Sequence, residues 1–197
     1  MKPLFVIFMT ALLCLSCSKE PEKSAEPVST EKSLFEEVKE QTIKNPKDVE
    51  AWYHLADLYE RSEMYREEVD ALQKVIAIDP GRGAVYSKLG TAYNRLGQYQ
   101  EAVKNFEIAV KYSPKNALLF NNLAVSYGKI GKTREEIAAL EKAISLRPRY
   151  STARFNLGMA LLKQGKPELA LKQYNELKKF DEGAAASLKK EIEAKRK

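Results

Sequence analysis

The sequence predicts an all-α fold, a solenoid of stacked helix–turn–helix hairpins, on three observations. Prolines stand at 46, 80, 114 and 148, each 34 residues beyond the last. Leucines at 55, 89, 123 and 157 keep the same step, and each is followed by a small residue: Ala56, Gly90, Ala124 or Gly158. Each period also holds two helix-length apolar patterns around a short turn. A common period in independent residue types marks an internal repeat. One hairpin of this size cannot bury its apolar face, whereas stacked hairpins share a continuous core and wind into a superhelix with a concave groove.

In chain order, the first element is a leader over 1–16. Met1-Lys2 is followed by an apolar run from Leu4 to Leu15, interrupted only by Thr10. Charge, short apolar core and small residues near a cleavage point make a secretory signal. The run falls short of the roughly 20 apolar residues that span a bilayer. Ser16-Cys17 resembles the end of a bacterial lipobox, with Leu15 in place before it, although Cys14 stands where that pattern has leucine. The resemblance implies lipidation of Cys17 by acyl chains such as palmitate, and several chains make attachment stable. Ser18 after the cysteine implies outer-membrane sorting, facing the periplasm. A plain secretory signal is the rival reading. In either case the mature chain keeps at most one of its two cysteines, which excludes a disulfide scaffold, a thiol enzyme and a Cys-ligated zinc site. Residues 17–30 are rich in Ser, Pro, Glu and Lys, a composition that cannot bury enough apolar surface to fold, so they read as a tether.

A lone helix is expected over 31–46, a half unit closed by Pro46. The units that follow are 49–82, 83–116, 117–150 and 151–184, with a capping helix and basic tail over 185–197. The first unit reads WYHLADLY over 52–59, the second YSKLGTAY over 86–93 with Ala102 and Phe106, the third FNNLAVSY over 120–127, the fourth RFNLGMAL over 154–161 with Ala170 and Tyr174. This pattern, W-x2-L-G-x2-Y…A-x3-F…P over 34 residues, resembles the tetratricopeptide repeat (TPR), which implies a right-handed superhelix. Local signals agree. Gly97 is placed to end the first helix of unit two. Thr133-x-x-Glu136 reads as a capping box. Pro167 suits the first turn of a helix. A second period of 68 residues lies inside the first: Glu68, Leu72 and Ile78 in unit one match Glu136, Leu140 and Leu146 in unit three, whereas units two and four carry Ala102, Phe106, Tyr112 and Ala170, Tyr174, Phe180. A duplicated two-repeat block explains this. Both glutamates fall where the family has alanine, so their stems are expected to pack while their carboxylates reach outward.

The resemblance implies that a ligand lies against the first helix of each unit. It carries over four rungs: Glu50, Tyr53, His54, Asp57 and Arg61; Ser87, Lys88, Thr91, Asn94 and Arg95; Leu118, Asn121, Asn122, Val125 and Lys129; Phe155, Asn156, Met159, Leu162 and Lys163. Asn122 and Asn156 resemble a short asparagine ladder, suited to pairing with the peptide units of an extended ligand. Phe155, Met159 and Leu162 form an apolar strip that either meets a partner or lies beneath the last helix. Tyr53, Asp57 and Lys88 replace the residues of the family's carboxylate clamp, and Asp57 would repel a carboxylate.

Catalysis finds no constellation in the sequence. The single histidine, His54, has Asp57 one turn later but no identifiable nucleophile beside it, and no metal cluster or phosphate loop is apparent. No cofactor and no catalytic residue are therefore assigned. The net charge of +6 is spread along helices apart from the tail KKEIEAKRK at 189–197, which suits solvated faces or anionic headgroups rather than a nucleic-acid interface. The sequence thus points to a non-catalytic protein-binding adaptor of the bacterial cell envelope, taking other envelope proteins or extended peptides as partners. A self-associating structural dimer is the alternative.

Overall fold

A computed structural model of the chain describes residues 28–195. The leader, Cys17 and most of the tether lie outside the described residues. Ten helices and no strand occur among those described: α1 (Val28–Lys44), α2 (Val49–Arg61), α3 (Tyr65–Ile78), α4 (Gly83–Arg95), α5 (Tyr99–Tyr112), α6 (Ala117–Lys129), α7 (Thr133–Leu146), α8 (Ser151–Lys163), α9 (Pro167–Leu177) and α10 (Glu182–Lys195). The first helix begins before residue 31 and the last before residue 185, each a few residues earlier than the composition suggests.

Four antiparallel pairs, α2–α3, α4–α5, α6–α7 and α8–α9, stack in order, with α1 against α2 and α10 against both α8 and α9. We term α2, α4, α6 and α8 the A helices and their partners the B helices. Consecutive A helices touch, α4 against α6 and α6 against α8, while no two B helices pack to that extent. The array therefore bends with its A helices on the inside.

Each turn between A and B holds one residue in the left-handed region: Glu63 (φ 57°), Gly97 (φ 74°), Gly131 (φ 78°) and Gly165 (φ 73°). At Gly97 the turn closes with Gly97 N–H on the Asn94 carbonyl at 3.1 Å and Gln98 N–H on the Tyr93 carbonyl at 2.9 Å, a Schellman-type ending. Glu63 makes the same turn with a Cβ that this region penalises by about 1–2 kcal/mol. Glu63→Gly is therefore expected to stabilise the fold by about 0.5–1 kcal/mol, the relief being partly offset by glycine's freedom in the unfolded chain. A thermal-melt midpoint no higher than the parent's would contradict this.

Pro167 is the first residue of α9. The capping box at Thr133 does not form: Thr133 is already helical, Lys132 stands at the N-cap, and no side chain caps α7. The A helices of units one and three are capped instead, by Asp48 accepting from Ala51 N–H at 3.0 Å and Asn116 from Leu118 N–H at 3.0 Å. Units two and four have Arg82 and Tyr150 at that position and no side-chain cap. The 68-residue alternation thus extends to the caps.

The recurring prolines close each B-to-A turn, and a residue six positions on reaches back to the proline carbonyl. Trp52 Nε1–H donates to Pro46 at 3.0 Å, Tyr86 O–H to Pro80 at 3.2 Å and Arg154 Nε–H to Pro148 at 2.9 Å. Three different side chains make one equivalent bond, because all it requires is a long side chain with a donor near its end. Phe120, at the same position of unit three, has none.

The core runs the length of the stack. Leu55, Leu72, Leu89, Phe106, Leu123, Leu140, Leu157 and Leu177 are all at most 5% exposed. Pairing in it is specific. Gly90 lies under the Phe106 ring, where an added Cβ would sit 2.8 Å from ring carbons. Units one and three place Ala56 with Leu72 and Ala124 with Leu140 in their cores. Glycine goes with the larger ring, alanine with leucine, so the summed volume is held. In unit four Gly158 receives Leu188 from α10, with an added Cβ 2.5 Å from that side chain.

Glu68 departs from its expected outward reach. It is 2% exposed. Burial, then the nearby Glu60 charge, pushes its carboxyl up to about 7, with Lys88 opposing. Glu136 is half-buried. Its carboxylate lies over Gly128, where an added Cβ would meet it at 2.5 Å, and Oε2 has no hydrogen-bond partner. Burial raises its pKa too.

Candidate functional site: the inner face of the A helices

Positions i, i+4, i+7 and i+11 of a helix share one face. On α2, His54, Asp57 and Arg61 jointly line a cavity of about 360 Å³ with Leu34, Val38 and Leu58. Stepping by 34 residues places Lys88, Thr91 and Arg95 on α4, Asn122, Val125 and Lys129 on α6, and Asn156, Met159 and Lys163 on α8. These rows are the inner face.

Its first half is tied together by ion pairs. Lys88 Nζ lies 2.9 Å from Asp57 Oδ1, hydrogen-bonds Glu60 Oε2, and sits 5.7 Å from the Tyr53 ring centre. Burial alone would lower the Lys88 pKa, but its two carboxylate partners hold it above the ordinary lysine range. Arg82 bridges Glu50 and Asp79, the latter at 3.0 Å. Asp57 is thus engaged by Lys88, and His54 is exposed beside it. Thr91 Oγ1 donates to the Ser87 carbonyl at 3.1 Å. Behind this network, Arg61 and Arg95 share a second cavity of about 200 Å³ with Thr91 and three glutamates: Glu60, Glu63 and the buried Glu68.

The second half is different. Asn156 Nδ2 donates to Asn121 Oδ1 at 3.1 Å, and Asn121 Nδ2 lies 3.5 Å from Asn122 Oδ1. Asn122 and Asn156 are therefore joined through Asn121, which is itself only 5% exposed. Ser126 Oγ donates to the Asn94 side chain and the Asn122 carbonyl, both at 3.0 Å. Leu118 and Val125 stand open beside them, 48% and 38% exposed.

Two residues carried over from the sequence are interior rather than accessible. Asn121 links neighbouring repeats, and Leu162 is 7% exposed within the core that α10 completes. Phe155 and Met159 are half-buried against the same core. The strip at Phe155 is thus largely covered, and the open apolar surface lies one repeat earlier, at Leu118 and Val125. The sequence signal for Leu118 was its position: it heads the same row as Glu50 and Thr152, where a polar residue needs no explanation and a leucine does.

Among the described residues no group of three or more His, Cys, Asp or Glu side chains is placed to hold a metal ion. None of the helices described is long and apolar enough to cross a membrane.

The fold has counterparts. No curated protein is a significant match to the sequence. Solved structures share the architecture. One described as the crystal structure of MamA is 21% identical, covers 83% of this chain and 91% of its own, and superposes with a TM-score of 0.73. MamA residues 41 to the end from Desulfovibrio magneticus RS-1 is 19% identical over 78% of this chain and 87% of its own, with a TM-score of 0.73. YrrB, described as a TPR protein with an unusual peptide-binding site, is 23% identical over 80% of this chain and 86% of its own, with a TM-score of 0.65. Likeness at this level speaks for the fold alone. Three family models then match in succession, a tetratricopeptide repeat over 49–82, a TPR repeat over 90–131 and a tetratricopeptide repeat over 122–186. The helix pairs of this chain are tetratricopeptide repeats.

Proposed function

We propose that this protein is a non-catalytic adaptor that holds a segment of another protein against the inner face of its A helices. The observation that carries this is the contrast within that face. In its α2–α4 half the mid-helix charges Asp57, Glu60 and Lys88 are already paired with one another, while its α6–α8 half leaves Leu118 and Val125 uncovered beside Asn122 and Asn156. Asn122 Oδ1 and the Asn156 amide are used within the array, which leaves the Asn122 amide and Asn156 Oδ1 to pair with a peptide unit. YrrB, which shares the fold, is described as having a peptide-binding site, and an extended peptide suits the open face here.

Ser16-Cys17 and the polar stretch after it support attachment to the bacterial envelope through a lipid on Cys17, with the array held off an outer-membrane surface in the periplasm. Cys17→Ser is expected to move the protein from the membrane to the soluble fraction with its helical circular-dichroism signal unchanged. Retention in the membrane fraction would contradict the anchor.

For the inner face, the full chain and a Leu118→Ser/Asn122→Ala/Val125→Ser variant serve as parallel baits for solubilised envelope proteins. A partner held by the parent and lost by the folded variant is the expected result. Equal retention would move the interface to the B helices or the termini. One observation favours self-association as a second reading: α1 exposes Leu34 at 45% and Ile43 at 70% at the open end of the stack. Sedimentation across a concentration series tests it, and a monomer at every concentration removes it.

A further inference from the structure

Every A helix of the array ends in a cation on the inner face: Arg61, Arg95, Lys129 and Lys163, one period apart and all exposed. A positive residue in a last turn favours any helix through its dipole. The B helices use that benefit too, with Lys111 in the last turn of α5 and Arg147 and Lys178 at the C-caps of α7 and α9, but these cations stand at a different position in each repeat. Helix stability, which any position in the last turn would serve, therefore does not account for a cation at the same position of every A helix.

The members of the row have looser neighbours: Lys163 is near enough to the Glu136 carboxylate to oppose the rise in its pKa, and Lys129 lies 5.9 Å from the Tyr99 ring centre. Among the described residues no member of the row forms an ion pair with a carboxylate, although Lys88, two turns before Arg95, and Arg82, at the N-cap of the same helix, are each held by two. Lys163 Nζ donates instead to the Gly128 carbonyl at 3.1 Å, which brings it to the C-terminal end of α6 beside Lys129. Arg61 and Arg95 line one cavity with the Thr91 side chain and with Glu60, Glu63 and the buried Glu68, so it is their exposed, outward-facing sides that are open to a ligand. On α6, Val125 one turn and Leu118 three turns before Lys129 supply the exposed apolar surface.

Resting on the adaptor reading above, we propose that the occupant of the inner face is an extended acidic segment of a partner protein, its carboxylates along Arg61, Arg95, Lys129 and Lys163 and an apolar side chain on Leu118 and Val125. Helices in contact lie about 8–10 Å apart. An extended chain returns a side chain to the same side every two or three residues, about 6.6–9.3 Å. One carboxylate per repeat is therefore within reach of a single strand. A guanidinium takes a carboxylate through two parallel hydrogen bonds, so the exposed guanidiniums of Arg61 and Arg95 mark the end of the track that fixes register. Cation rows of this kind also speed encounter with an acidic partner and make the rate depend on salt.

The proposal is tested by fluorescence anisotropy with the full chain and short labelled peptides. The probes repeat Glu-Ser-Leu, Gln-Ser-Leu, Glu-Ser-Ser or Lys-Ser-Leu, and a single-stranded oligothymidylate serves as a second polyanion. Glu-Ser-Leu is expected to bind best, and Gln-Ser-Leu about tenfold more weakly, the loss that a few exposed ion pairs of ordinary strength would give. The affinity for Glu-Ser-Leu is expected to fall with added salt. Arg61→Gln/Arg95→Gln/Lys129→Gln/Lys163→Gln should lose the same factor. A control removing as many exposed lysines from the B helices, Lys74→Gln/Lys111→Gln/Lys142→Gln/Lys172→Gln, should lose little. The peptide series and the salt dependence need no variant, so they decide the matter even where a variant folds poorly. Equal binding of Glu-Ser-Leu and Gln-Ser-Leu, both abolished by Leu118→Ser/Val125→Ser, would overturn the acidic assignment and leave the adaptor reading standing. Binding that survives both the row variant and the Leu118/Val125 variant would overturn both. Tighter binding of the oligothymidylate than of any peptide would also overturn the proposal.

Discussion

Phe106→Ala is expected to destabilise the fold by about 3–5 kcal/mol, the cost of truncating a fully buried aromatic ring. Phe106 has no exposed surface and stands between the second and third repeats, packed with Ala102, Val103, Leu119 and Leu123. Its loss would remove the link between the two halves of the stack, because in a solenoid each repeat is held by its neighbours. A sharper form of the prediction uses Gly90. Gly90→Ala brings a methyl to 2.8 Å from the ring. Overpacking of this kind costs about 1–3 kcal/mol, against about 1 kcal/mol gained in helix propensity. Phe106→Leu alone leaves a void and costs about 1–2 kcal/mol. The double variant, Gly90→Ala/Phe106→Leu, rebuilds the pairing already present as Ala56 with Leu72 and Ala124 with Leu140. It is expected to lie within about 1 kcal/mol of the parent, a departure from additivity that only residues in contact show. Urea unfolding of the four proteins, followed by helical signal, checks this. Additive losses would mean that unit two cannot adopt the packing of units one and three.

The fold was legible because its defining features are periodic and local. Proline, leucine and a small residue recur at fixed offsets, and each has one mechanical role. The proline closes a turn, the leucine fills the core, and the small residue lets two helices approach. What escaped the sequence depends on single-residue offsets or on the identity of a neighbour. Thr133 and Glu136 have capping-box spacing, but the preceding turn closes at Gly131 and leaves Lys132, not Thr133, at the N-cap. Asn121 and Asn122 differ by one helical step, which is enough to bury the first and leave the second at the face. The strip at Phe155 depends on where α10 lies, and nothing within the repeat dictates that Leu188 should descend onto Gly158. The four cations ending the A helices were visible as members of the rungs. Their meaning came from their recurrence at one position of every A helix and from knowing which neighbouring charges are already paired.

Stability is expected to fall as pH rises from about 4.5 to 7, and Glu68→Gln is expected to remove most of that fall. In the unfolded chain the Glu68 carboxyl titrates near 4.5, while in the fold it is pushed up to about 7. Burial is the main cause, followed by the charge of Glu60, with Asp57 adding to it and Lys88 relieving it. The sign follows from proton binding. Below about 4.5 both states hold the proton and the group favours neither. Between about 4.5 and 7 the folded state keeps a proton that the unfolded state has released, so each increment of pH favours unfolding. Above about 7 both are ionised and the full cost of a buried carboxylate remains, roughly 1–3 kcal/mol given the relief from Lys88. Glutamine keeps the shape and cannot ionise, so the variant should match the parent at pH 4.5 and exceed it at pH 8. Glu136, whose pKa burial also raises, leaves a residual slope of the same sign, and Glu136→Gln should remove that in turn. Urea midpoints at a series of pH values make the measurement. A parent curve that is flat or rises across this window would show that water or a rearranged Lys88 solvates Glu68 in the fold. An unchanged difference between parent and Glu68→Gln at pH 4.5 and 8 would assign any effect of the substitution to packing rather than to charge. Because Glu68 opens on the cavity shared by Arg61 and Arg95, its ionisation couples the stability of the first repeat to the charge of the inner face.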